Sequence, residues 1–131
     1  MNPRHQSLDA YLPLVGRVLL SLLFIFHGAS KLLGFSGAVL FMNSHGFPMP
    51  EIVAGTVIIV ELGCGLALLL GFQTRIAAYC ISVVTLVLTF VVYRDFREYE
   101  QLTQILKNLA IVGGLLFAIR YADEKRVEQN H

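Results

Sequence analysis

Charge is scarce in this chain, and its basic residues are not gathered into a run. Only 15% of its 131 residues are Asp, Glu, Lys or Arg, and the formal net charge is +1. With no basic stretch and no stacking platform, nothing points to nucleic acid. The 2 cysteines, Cys64 and Cys80, make no Cys-x-x-Cys pair, and no His/Cys/Asp cluster carries zinc-ligand spacing. His5, His45 and His131 fall in tails or a connection, which leaves His27 without a second membrane histidine for a bis-histidine haem. No metal or haem is therefore expected. A phosphate-cradling glycine loop and a nucleophile elbow are both missing. Proline and glycine are scattered rather than clustered, so no linker divides the chain and one domain over 1–131 is expected.

What fills the chain instead is apolar surface. Hydrophobic residues make up 56% of it, too many for an ordinary soluble domain. The first ten residues are polar without a cleavage pattern, so the first apolar run is expected to remain as a span. Four spans of suitable length follow from hydropathy: about 11–33, 51–72, 76–93 and 104–121. Pro13 falls in the opening turn of the first, where a missing N–H does little harm. The connection from Gly34 to Pro50 carries Ser36, placed to cap a short interfacial helix running through Asn43. A tight Gln73-Thr74 turn joins the second span to the third, which holds no charge. The fourth span's purely apolar part, Leu109 to Ile119, is too short to cross unless Lys107 and Asn108 also lie inside the bundle; a re-entrant segment is the alternative. The fold class predicted is an all-α integral membrane four-helix bundle, antiparallel, with lipid as its surroundings.

Lys and Arg outside the spans set the orientation. Arg4, Arg75, Arg120, Lys125 and Arg126 fall on one side, against Arg94 and Arg97 on the other. Both termini are therefore expected in the cytoplasm.

A few polar residues interrupt the apolar runs. Arg17, Ser21, Phe24, Gly28 and Lys31 form one stripe of the first span, with His27 at its edge. On the second, Glu61, Cys64, Gly65 and Leu68 share a face; on the fourth, Gln104, Lys107, Asn108 and Ile111 cluster. A charge at the centre of a membrane helix costs about 2.5–3.5 kcal/mol, so such residues pair, face an interior or bind something. At about 1.5 Å per residue, an antiparallel bundle brings Glu61, Lys107, Asn108, His27 and Lys31 to a polar cavity in the outer half of the membrane. Two readings stay open. Glu61 with Arg17 or Lys107 forms a structural ion pair that fixes register, Lys31 snorkels and His27 is a core histidine. Otherwise the surplus cations beside Asn108 suit a ligand bearing carbonyl or anionic oxygens. Cys64 and Cys80 flank the Gln73 turn at similar depth, where packing is favoured over a bridge. Gly63, Ala67 and Gly71 make a small-residue ladder for close approach of a neighbouring helix or a second copy.

The segments GRVLLSLLFIFHGASKL, ELGCGLALLLGFQTR and KNLAIVGGLLFAI, in this order, resemble the DoxX family of small bacterial inner-membrane proteins. The resemblance runs from about Gly16 to Ile119. It rests on Arg17, Gly28, Lys31, Glu61, Gly65, Gly71, Arg75, Lys107 and Asn108. It implies a four-helix membrane bundle tied to redox chemistry. Relatives are associated with a quinol oxidase, with thiosulfate:quinone oxidation, or with thiol-oxidative stress enzymes.

Three functions fit these residues. In the first, the chain is the membrane subunit of a quinone-linked oxidoreductase with a protein partner. Glu61 and Lys107 then carry the catalytic work, and Arg17, His27, Lys31 and Asn108 hold the quinone head group. The second is a small-anion transporter using Arg17, Lys31 and Lys107, although the chain shows no inverted repeat. The third is a non-catalytic anchor or assembly partner. The first is the reading carried forward.

Overall fold

A computed structural model describes residues 3–129, without the side chains of 3–8, 125, 126 and 129. The side chains of Arg4, His5, Lys125 and Arg126 are thus not described, and His131 lies outside the described residues. The chain forms five helices: α1 (Pro3–Leu33), α2 (Phe35–Ser44), α3 (Pro50–Leu70), α4 (Thr74–Val92) and α5 (Tyr99–Gln129). Four of them, all but α2, are long and apolar enough to cross a membrane. They close into a ring in which α1 touches α3, α3 touches α4, α4 touches α5 and α5 returns to α1. Neighbours run antiparallel. Along α1 and α3, for instance, Gly28 meets Leu62, Gly65 meets Ile25, and Gly71 meets Arg17.

Several boundaries differ from those hydropathy suggests. α1 starts at Pro3 rather than near Tyr11, which puts Pro13 inside the helix instead of in its opening turn. Once the apolar stretch holds a helix, adding residues at its end costs little, so the polar lead-in continues it. α5 extends in the same way beyond 104–121 at both ends, as one unbroken helix whose membrane-crossing stretch is Tyr99–Glu124. That continuity removes the re-entrant alternative. The short helix of the first connection exists, but Ser36 does not cap it. Gly34 occupies the N-cap with no side-chain bond, and its carbonyl accepts from the Ala38 N–H. α1 runs almost directly into α2, leaving Ser36 no free helix end to serve.

The core is split in two. Phe24, Leu68, Ile81 and Leu115 pack at the centre of the ring. A second cluster, built on Met42, Ala54 and Val57, seats α2 against α3. α3 ends at Gly71, whose φ of 75° is left-handed and whose N–H bonds back to Leu68. A side chain there meets both backbone strain and the Arg17 guanidinium 3.2 Å away. Gly71→Ala is expected to destabilise the bundle by about 1–2 kcal/mol. A thermal melt in mild detergent checks this, and an unchanged midpoint would show that the turn relaxes freely.

Candidate functional site

The cavity foreseen from helix depth is present, at about 190 Å³, and α1, α3, α4 and α5 all contribute to its wall. His27, Lys31, Glu61, Lys107 and Asn108 line it together. Met42 and Phe41 of α2 close one side, so the helix of the first connection serves as part of the wall.

Glu61 is the centre of this site. It is 5% exposed, and its Oε1 accepts a hydrogen bond from Lys31 Nζ at 2.7 Å. The partner is therefore Lys31, not Arg17 or Lys107, and Lys31 does not simply reach for the headgroups. About one turn before Lys31, at Gly28, the missing side chain lets α1 approach Glu61 and Leu62. The other carboxylate oxygen, Oε2, is buried without a hydrogen-bond partner. An anionic oxygen left bare in a membrane interior is costly, and it favours any donor brought into the cavity.

The facing wall carries donors. Lys107 is exposed rather than buried within the bundle; it lines the cavity and makes no ion pair among the described residues. Asn108 is half-buried and donates through Nδ2 to Thr89 Oγ1 at 3.0 Å. Thr89 in turn donates to the Thr85 carbonyl, and Thr85 to that of Ile81. These two threonines are site residues that sequence reasoning missed. Their signal was an i, i+4 hydroxyl pair on the otherwise apolar α4. His27 is exposed, its ring 6.0 Å from that of Phe26.

Arg17 does not join this group. It is 14 residues from Lys31, about 21 Å along α1, and lies against Gly71 at the opposite end of the ring. The small-residue ladder is also divided. Gly71 meets Arg17 of the same chain, Ala67 packs on the central core, and Gly63 is exposed with open space around it. Cys64 and Cys80 are neighbouring but unbridged thiols, Cys64 packing on the core.

A sequence model of the DoxX family matches residues 12–94, which takes in most of α1 and all of α2 to α4 and stops before Lys107 and Asn108. The chain is 38% identical over 103 residues to inner membrane protein YqjF of Escherichia coli (strain K12), covering 79% of this chain and 78% of that protein. It is 37% identical over 109 residues to inner membrane protein YphA of the same organism, covering 79% and 77%. No solved structure matches the chain.

Proposed function

This chain belongs to the DoxX family, and from that premise we propose that it is the inner-membrane subunit of a quinone-linked oxidoreductase system whose head-group site is the Glu61 cavity. The observation that carries the reading is the unpartnered, buried Oε2 of Glu61, a residue that shares the cavity wall with the donors Lys107 and Asn108. A quinol offers hydroxyl protons to such an oxygen, and a quinone offers carbonyl oxygens to Lys107 and Asn108. Size argues the same way. Pockets that enclose a drug-sized ligand run to about 300–1,000 Å³, so 190 Å³ suits one ring and leaves an isoprenoid tail in lipid.

The quinone would supply two-electron, two-proton chemistry. The residues lining the site handle protons and orientation: Glu61 Oε2 accepts a hydrogen bond, Lys31 holds the carboxylate in place, and Lys107 and Asn108 orient oxygens. Electrons would come from a partner oxidoreductase, so the chain acts as a subunit. The names of the relatives and the Lys and Arg distribution support an inner-membrane location with both termini in the cytoplasm.

Retention of a short-chain benzoquinone by the purified protein in mild detergent tests this. About one molecule per chain is expected for wild type, and at least tenfold weaker binding for Lys107→Met, from loss of a hydrogen bond to a charged group. Lys107 makes no ion pair among the described residues, so its removal leaves the fold intact. Equal retention by both proteins, or none by either, would overturn the proposal.

A further inference from the structure

At the opposite end of the ring lies a larger cavity, of about 800 Å³, between α1 and α5 with the α3–α4 turn as its floor. Arg17 extends into it, and its guanidinium rests against Gly71 at the level of that turn. The Arg17 Nε is buried with no hydrogen-bond partner. Two other arginines at this end have acids: Arg75 lies 3.6 Å from Asp123, and Arg120 lies 3.4 Å from Glu124. Arg17 has no ion pair among the described residues. The carboxyl end of α3 offers it only a partial negative charge. An anion from outside the chain would complete its surroundings.

The walls indicate which anion. Along α1 and α5 the lining runs from Leu20 and Gly114, nearest mid-helix, through Gly16 and Phe117 to Arg120 and Glu124 toward the end of α5. This gradient from alkyl to charged runs in the direction of a membrane lipid. A free inorganic anion would fill a small part of the volume and leave the apolar walls uncovered. We propose that this cavity binds an anionic phospholipid, its phosphate on the Arg17 guanidinium and one acyl chain between α1 and α5. The planar fork of an arginine suits phosphate. On the orientation proposed above, this end also faces the leaflet richer in anionic lipid.

Two variants probe the site independently. Arg17→Met removes the charge. Gly16→Leu adds bulk at a position where a Cβ meets nothing within 4 Å, so it fills the cavity without strain. Native mass spectrometry of the whole chain, loaded with equal phosphatidylglycerol and phosphatidylcholine, counts the lipids retained. Wild type is expected to keep the anionic lipid at least fivefold over the zwitterionic one. Arg17→Met should abolish that preference, and Gly16→Leu should lower retention of both lipids at least fivefold while leaving benzoquinone retention unchanged. If Arg17→Met does not fold, Gly16→Leu decides. Equal retention of both lipids by wild type, full retention by Gly16→Leu, or inorganic phosphate displacing the lipid at equal concentration would overturn the proposal.

Discussion

Replacing Lys31 by methionine is expected to destabilise the bundle by about 3–5 kcal/mol, the usual consequence of removing one partner from a buried ion pair. Methionine keeps most of the lysine stem, so the loss is of charge rather than packing. Glu61 would then stay 5% exposed with both oxygens bare, because Oε2 already lacks a partner. An ordinary interhelical polar contact in lipid contributes about 0.6 kcal/mol on average, so the two accounts differ severalfold. Unfolding in mixed micelles followed by circular dichroism separates them. A change below about 1 kcal/mol would mean that Glu61 finds another donor, with Lys107 a candidate in the same cavity.

The companion variant makes the comparison sharper. Combining Lys31→Met with Glu61→Leu removes both charges, and apolar replacement of a buried pair is typically neutral or stabilising. The double variant should therefore regain most of the stability lost by the single one. It would also leave a folded bundle without the acceptor that the quinone reading requires. A stable double variant that no longer retains benzoquinone would separate the carboxylate's structural role from its binding role.

How much of this was legible in the sequence depends on the kind of information asked for. Hydropathy locates the four spans because the cost of polar groups in lipid is large and local. It misplaces the ends of α1 and α5, since helix continues into water at little cost and leaves no apolar trace. Distance along a helix gives depth, which is why Glu61, Lys107, Asn108, His27 and Lys31 were brought to one cavity. Depth alone does not select a partner at similar height. The choice of Lys31 over Lys107 follows from the close α1–α3 approach at Gly28, and that requires three dimensions. Arg17 shares a stripe with Lys31 yet serves the other end of the bundle, because a stripe is as long as its helix. Thr85 and Thr89 were hidden for a different reason: hydroxyls in a membrane helix usually satisfy themselves on their own backbone. Both do so here, and Thr89 accepts from Asn108 as well.

Gly28→Leu is expected to cost about 3 kcal/mol, the upper end of what overpacking takes. A Cβ at this position would fall 2.8 Å from Leu62 Cγ and 3.2 Å from Glu61 Cβ. The Leu62 side chain can rotate away, but the Glu61 Cβ is fixed to the α3 backbone, so α1 itself must move outward. In lipid there is little hydrophobic force to hold the helices together, and association depends on close packing and polar contacts. Separating them at Gly28 weakens both, because Lys31 and Glu61 meet one turn further along α1. The control is the same substitution on α3, Gly63→Leu, where a Cβ meets nothing within 4 Å and the residue is exposed. That variant should stay within about 0.5 kcal/mol of wild type, as surface substitutions usually do. If instead Gly63→Leu is the damaging change and Gly28→Leu is tolerated, the face at Gly63 contacts a second subunit and the α1–α3 seam is not the tight joint of the bundle.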